Sequence, residues 1–135
     1  MYVSLHGTPD IFFPWIKGFS NEVGEGEGKE FNLNIPLKPE TEIEEYISNL
    51  NIGLDKIKDY SPDYLLVSLG LDIVEGDNQG GLNIKTDDYI KIGNKIKKLI
   101  DDLKIPLMIV QEGGYSGENN AKAVIKLFEG MNIEK

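Results

Sequence analysis

The sequence predicts an α/β domain in which helices pack against a parallel sheet. Two short apolar runs without helical periodicity, Leu65 to Gly70 and Pro106 to Val110, predict buried strands. Segments with apolar residues at helical spacing lie between and after them, and this alternation is typical of parallel sheets. With 135 residues, of which 40% are hydrophobic, the chain is long enough for one domain, 1–135, and too short for two.

The first half of the chain predicts two extended segments and one helix. Tyr2 to His6 predicts a strand that begins almost at the first residue, and the alternating residues of Phe31 to Leu37 predict a second extended segment. The helix follows, with Thr41 and Glu44 at the spacing of a capping box. Its apolar residues recur at helical spacing through about Asp59, so we expect them to form core.

The second half predicts two helices around the Pro106 strand. The first begins at Thr86 to Asp88, and its lysines form a solvated face that complements the macrodipole at the C-terminal end. The second covers Ala121 to Phe128, and Gly130 ends it.

Two segments of the first half allow a functional interpretation. Glu22 to Lys29 is rich in glycine, but no strand precedes it and its glutamates would repel phosphate, so we exclude a nucleotide site. The aromatic cluster from Phe12 to Phe19 is consistent with either a cover over the sheet or a pocket wall.

Composition and charge restrict the class of partner. The chain has 23 acidic residues against 14 lysines, a net charge of -9, no arginine and no cysteine. This balance argues against nucleic acid, favours a cationic substrate, and leaves neither disulfides nor thiolate metal ligands. Because the sequence contains neither a run of about 18 apolar residues nor a basic, apolar leader, we expect a soluble cytoplasmic protein without membrane contact.

Polar residues follow both predicted central strands. Asp72 comes directly after the first strand, and Gln111 to Tyr115 follow the second. Ligands of open α/β sheets bind at the carboxyl ends of strands, so Asp72 is a candidate site residue. The alternative for Asp72 alone is an acidic loop that leads away from a core strand.

Three motifs stand out in the chain: SLHG at its start, SLGLD at the end of the Leu65 strand and QEGGY after the Pro106 strand. Together they resemble the histone deacetylase and acetylpolyamine amidohydrolase superfamily. Their order and spacing resemble the C-terminal part of that family, from Tyr2 to about Phe128. The resemblance implies a three-layer α/β/α arrangement with a parallel sheet, as a partial arginase/deacetylase-like fold.

The resemblance also implies site residues for zinc-dependent amide hydrolysis. Asp72 matches one of the zinc ligands, and Tyr115 matches the tyrosine whose hydroxyl donates to the developing oxyanion. Gly113 and Phe13 match positions along the channel that holds the acylated amine. Groups around Ser4 and Leu5 match part of a structural site for a monovalent cation, potassium.

The same resemblance indicates that much of the catalytic set lies outside this chain. The family's other two zinc ligands and its tandem histidines belong to a segment that precedes the SLH strand in sequence. The strand that carries the absent ligands lies between the SLH and SLGLD strands in the resembled fold. His6, the only histidine, is expected to be a structural hydrogen-bonding group. We expect one of three arrangements: a partner chain supplies the N-terminal half, two copies pair through exposed edges, or the remaining strands close up.

Two functions therefore remain open. The first is the C-terminal half of a zinc-dependent deacetylase that acts on acetyl-lysine or a cationic acetylated small molecule such as acetylpolyamine, and that is inactive without its complement. The second is a non-catalytic, truncated paralogue that acts as a binding or oligomerisation module.

Overall fold

The computed structural model describes residues 1–133 and has the predicted alternation of strands and helices. The strands are β1 (Tyr2–Gly7), β2 (Asn32–Leu37), β3 (Leu65–Leu69) and β4 (Leu107–Gln111), and the helices are α1 (Ile43–Tyr60), α2 (Tyr89–Leu103) and α3 (Gly117–Gly130). The predicted α/β class is confirmed, and each predicted strand and helix is present.

Two details of the helix starts were predicted wrongly. The N-cap of α1 is Glu42, which makes no side-chain capping bond. Thr41 is buried and donates its hydroxyl to the carbonyl of Lys38, so the capping box does not form. Helix α3 begins at Gly117, four residues before the predicted Ala121. The prediction missed its first turn because the residues there are polar and do not show the apolar periodicity.

The strands form two separate parallel pairs. β1 pairs with β2 from Tyr2↔Asn32 to Gly7↔Leu37, and β3 pairs with β4 from Leu65↔Leu107 to Leu69↔Gln111. Within the described residues no pairing joins β1 to β3. The expectation that the remaining strands close up is therefore wrong, because the edges of β1 and β3 stay apart and line one open space.

All four strands point in the same direction. At their carboxyl ends, the ring of Phe12 lies where side chains on Gly7 and Gly81 would be, and the neighbouring Gly80 packs against the backbone of Asp72. At the opposite end, Phe31 before β2 contacts Tyr60 before β3, with ring centroids 5.8 Å apart. The four carboxyl ends therefore lie on one edge of the structure.

The three helices share one core with one face of the strands. Helix α1 connects β2 to β3, helix α2 connects β3 to β4, and both connections move across the strands in the same direction. Because such connections are right-handed, both helices lie on the same face of the strands. Val3 and Leu5 of β1 lie against Gly53 of α1. The opposite face is uncovered at Leu66 and Met108, which are 54% and 61% exposed. Residues 1–133 thus supply one helical layer, and the second layer of the expected three is not among them.

Candidate functional site

An open groove of about 1390 Å³ separates β1 from β3. We call it the β1–β3 groove. Its walls are the facing edges of the two strands, and α1 and α2 form its floor with the side chains Leu50, Leu54, Ile57, Ile92 and Ile96. At the carboxyl ends of the strands, the groove is bordered by Asp72, Gly113 and Tyr115. The structure therefore brings together the two predicted site residues of the EGGY turn and the predicted metal ligand.

Asp72 lies in a cradle of three glycines. A side chain on Gly113 would collide with the Asp72 carboxylate, and one on Gly80 would collide with its backbone carbonyl. A Cβ on Gly70 would lie 2.9 Å from Oδ1 of the same carboxylate. These glycines are required by close approach to Asp72, so the loops after β3 and β4 hold the carboxylate in one place at the groove.

Asp77 connects the two loops that form this cradle. Its Oδ2 accepts a 2.7 Å hydrogen bond from the backbone N–H of Tyr115, and its Oδ1 accepts bonds of 2.9 Å from Gln79 N–H and 3.2 Å from Gly80 N–H. Asp77 is buried. Burial alone would raise its pKa, but these backbone donors together with Ser116 N–H hold the pKa below its usual value.

The pKa of Asp72 is shifted in the opposite direction. Burial raises it most, its own backbone N–H lowers it, and the negative charge of Asp77 raises it further. A cation or a proton donor placed in the groove would favour the ionised Asp72 carboxylate. The arrangement is therefore suited to a positively charged ligand beside Asp72.

Tyr115 and Phe13 occupy different parts of the groove. The Tyr115 side chain is 61% exposed at the carboxyl ends of the strands, while its backbone is fixed by Asp77. Phe13 is 78% exposed on the rim and makes an edge contact with Trp15, with ring centroids 5.4 Å apart. Of the predicted aromatic cluster, Phe13 thus lines the opening, whereas its neighbour Phe12 packs between Gly7 and Gly81.

Ser4 and Leu5 lie on β1, away from the Asp72 cradle. The Ser4 Oγ lies 2.7 Å from His6 Nδ1, and His6 Nε2 lies 2.8 Å from the carbonyl of Gly18. Because a carbonyl oxygen only accepts hydrogen bonds, His6 Nε2 carries a proton and donates it to the carbonyl of Gly18. The structural role predicted for His6 is confirmed, and the monovalent-cation site at Ser4 and Leu5 stays a prediction.

Two tyrosines near Asp72 were assigned to the helix cores by the sequence. Tyr46 lines the groove, and its burial and the charge of Asp72 raise its pKa to about 12. Tyr89 is fully buried, and its hydroxyl has no hydrogen-bond partner among the described residues. Burial, and then Tyr46, Asp72 and Asp77, raise its pKa. Both tyrosines stand at apolar positions of the helices but carry a hydroxyl group. That hydroxyl was the only sequence signal for a polar cluster near Asp72.

The described residues do not fit a complete zinc site by themselves. No three His, Cys, Asp or Glu side chains are grouped for a metal within residues 1–133. A catalytic zinc takes three protein ligands, and the cradle presents the carboxylate of Asp72.

Within residues 1–133, no helix combines the length and apolarity needed to cross a bilayer.

Comparisons with known proteins agree with the predicted resemblance. A family model described as the histone deacetylase domain matches residues 1–131. An acetylpolyamine amidohydrolase of Burkholderia pseudomallei is 36% identical over 126 residues, which are 91% of this chain and 36% of that protein. Acetylpolyamine amidohydrolase 2 of Pseudomonas aeruginosa is 32% identical over 135 residues, 98% of this chain and 38% of the relative.

Solved structures give the same result. The crystal structure of an acetylpolyamine aminohydrolase from Burkholderia pseudomallei matches with a TM-score of 0.90 at 33% identity, covering 98% of this chain and 37% of the other. A histone deacetylase homologue from Aquifex aeolicus matches with a TM-score of 0.85 at 30% identity, covering 98% and 35%. This chain thus spans little more than a third of the length of these relatives. It belongs to the histone deacetylase family and has part of the arginase/deacetylase fold.

Proposed function

We propose that this chain is the C-terminal portion of a zinc-dependent hydrolase that cleaves the amide bond of acetylated amines. The observation that carries the proposal is the convergence of Asp72, Gly113 and Tyr115 at the carboxyl ends of β3 and β4. Relatives named acetylpolyamine amidohydrolase support acetylated amines as the substrate class. The net charge of -9 supports a cationic member of that class, such as an acetylpolyamine or acetyl-lysine.

Each residue has one role in this proposal. Asp72 would supply one ligand to a zinc ion, and a zinc ion held there would activate water and polarise the amide carbonyl. The Tyr115 hydroxyl donates a hydrogen bond to the developing oxyanion, and its exposure at the groove leaves it free to do so. Gly113 and Phe13 border the channel for the acyl group.

The remaining zinc ligands and the general base must come from outside the described residues 1–133. Either a partner chain with the other part of a deacetylase domain or a second copy of this chain could supply them. The partner chain is favoured because the matches cover 91 to 98% of this chain but only 36 to 38% of the length of the curated relatives. The proposal also keeps the cytoplasmic location and the potassium site at Ser4 and Leu5 as expectations.

Native mass spectrometry after incubation with zinc and removal of excess metal tests the metal role. The chain should be measured alone and after co-expression with the unmatched portion of the Burkholderia acetylpolyamine amidohydrolase. We expect about one tightly held zinc only in the completed assembly, and loss of that zinc in Asp72→Asn. Asp55→Asn, an exposed carboxylate on α1, is the control that should retain it.

Deacetylation of acetylputrescine and of an acetyl-lysine peptide then tests the chemistry. Tyr115→Phe should lower kcat about 10²–10³-fold, the usual effect of losing one oxyanion donor. Tyr64→Phe, which removes a hydroxyl from another exposed tyrosine, should leave kcat unchanged. Stable assemblies that neither retain zinc nor hydrolyse either substrate would overturn the proposal and favour the non-catalytic binding module.

A further inference from the structure

An exposed loop at the carboxyl end of β1 carries large apolar side chains. Those of Ile11, Phe13, Trp15 and Ile16 are exposed, and Trp15 is the only tryptophan of the chain. A contiguous exposed apolar patch marks a surface that contacts a ligand or a partner. The proposed function uses Phe13 of this loop and leaves the other three side chains without a role.

The Trp15 side chain is held in one place although it is 60% exposed. Its indole Nε1–H donates a 3.2 Å hydrogen bond to the carbonyl of Ile11, and its ring makes the edge contact with Phe13. Its backbone has a φ of 59°, in the left-handed region that bulky residues rarely adopt. Ordering an exposed side chain costs conformational entropy, and backbone strain of this kind clusters at functional sites. The fixed indole is therefore a candidate binding surface.

Phe12 fixes this loop beside the Asp72 cradle. Its ring packs against Gly81, and the neighbouring Gly80 packs against the backbone of Asp72. Trp15 and Asp72 both line the β1–β3 groove. The cradle and the indole thus border one continuous space, through which an extended ligand can reach from one to the other.

The groove is acidic and offers a cation no competing ammonium group. At the carboxyl ends of the strands it is lined by Asp72 and Glu112, and no lysine of residues 1–133 lines it, although the chain has 14. Lys17, two positions after Trp15, lines a separate hollow. The face of a tryptophan ring is the best aromatic partner for a cation. Carboxylates and an indole on the same groove therefore favour a ligand with a positively charged group.

We propose that Trp15 is a specificity residue, whose indole face binds the ammonium group of a cationic acetylated amine and so distinguishes it from a neutral one. The acetyl end of that ligand lies at the Asp72 cradle, and the ammonium end lies at the rim of the groove. A cation–π contact at an exposed site strengthens binding about two- to fivefold. The position of the acetyl end rests on the proposed function, whereas the contact with the indole requires no hydrolysis.

Two probes of equal shape separate charge from apolar contact in the chain alone. The cationic probe is the trimethylated form of acetylputrescine, and the neutral probe carries a tert-butyl group in place of trimethylammonium. NMR titration should show nuclear Overhauser effects from the N-methyl protons to the Trp15 ring. The dissociation constant should be about two- to fivefold lower for the cationic probe than for the neutral one. Equal affinities, or no contact of the cationic probe with the Trp15 ring at millimolar concentration, would overturn the inference.

Variants of the loop assign the preference for charge to the indole. Trp15→Leu keeps an apolar side chain and should reduce the ratio of the two affinities about two- to fivefold, whereas Trp15→Phe keeps a weaker ring and should reduce it less. Ile16→Ala is the matched control, since Ile16 is exposed in the same loop but lies outside the groove lining. It should keep the wild-type ratio. An unchanged ratio in Trp15→Leu, or an equal loss of affinity for both probes, would refute the inference, because the ring would then only shape the loop.

Kinetics of the completed assembly separate this inference from the proposed function. The substrates are acetylputrescine and N-pentylacetamide, in which a methyl group replaces the ammonium group. Trp15→Leu should raise KM for acetylputrescine about two- to fivefold more than KM for N-pentylacetamide, because the contact is made in the bound substrate as well as in the transition state. Equal changes for both substrates would overturn the specificity role. An assembly that hydrolyses neither substrate would overturn the proposed function, while the probe titrations would still decide the role of Trp15.

Discussion

The carboxylate of Asp77 binds the backbone N–H of Tyr115 across 38 positions of sequence, at a distance of 2.7 Å. This bond joins the loop after β3 to the loop after β4, and both loops border the groove beside Asp72. The position of Tyr115 therefore depends on a buried residue that does not need to touch a ligand. The same residue provides the first two tests of the structure.

We expect Asp77→Asn to destabilise the chain by about 1–3 kcal/mol, the cost of leaving a buried donor unsatisfied. An asparagine amide can accept from one side only, and its NH₂ group would face backbone N–H donors. Urea unfolding followed by circular dichroism measures the change, with exposed Asp55→Asn as the control. A change below about 0.5 kcal/mol would show that the loops are held together by other contacts.

The contribution of Asp77 should disappear in acid. Its folded pKa lies below the ordinary value of 3.8, so its stabilisation is fully present above that value and is lost as the pH falls through the folded pKa. The stability difference between wild type and Asp77→Asn should therefore shrink below about pH 3.8.

Asp72 has a raised pKa, so its ionisation weakens the fold as pH rises. Asp72→Asn should accordingly be neutral or stabilising at pH 7, and urea titrations at several pH values compare the two variants.

Gly113→Ala should disturb the Asp72 cradle. The added methyl group would meet the Asp72 carboxylate directly, and such overpacking costs about 1–3 kcal/mol. Gly117→Ala is the matched control, because its Cβ meets no atom within 4 Å in the first turn of α3. We expect that control to be neutral or slightly stabilising. Equal urea midpoints for the two variants would contradict the close approach of Gly113 to Asp72.

Tyr89→Phe should leave the stability unchanged or raise it by up to about 1 kcal/mol. The Tyr89 hydroxyl is buried without a partner among the described residues, and a buried polar group that makes no hydrogen bond costs free energy. Urea unfolding measures the effect, and Tyr64→Phe at an exposed position gives the baseline. A loss of more than about 1 kcal/mol would mean that an ordered water satisfies this hydroxyl.

The helices and strands could be predicted because their signals are local. Periodic apolar residues mark α1 and α2, and uninterrupted apolar runs mark β3 and β4. The convergence of Asp72 and Tyr115 was also predictable, since the carboxyl ends of parallel strands meet at one edge. The resemblance added the expectation of a gap beside β1, and the structure has two separate strand pairs there.

The remaining features depend on contacts without a local pattern. The bond between Asp77 and Tyr115 joins two loops, and no periodicity reports it. No periodic pattern shows that Phe12 packs inward while Phe13 stays exposed, because no regular element fixes the alternation there, and only the resemblance assigned Phe13 to the channel. Thr41 has the spacing of a capping residue, yet its hydroxyl bonds to Lys38, which shows how a turn can compete for a side chain that a helix could use.

The separation of the two strand pairs also has a mechanical meaning. A continuous sheet fixes neighbouring strands about 4.7–4.9 Å apart through its ladder of hydrogen bonds. Between β1 and β3 no such ladder exists, so their spacing is set by side-chain packing on α1 and by the loops around Phe12 and Gly80. The width of the groove is therefore not fixed by backbone hydrogen bonds, and whatever fills the groove also affects the distance from β1 to Asp72.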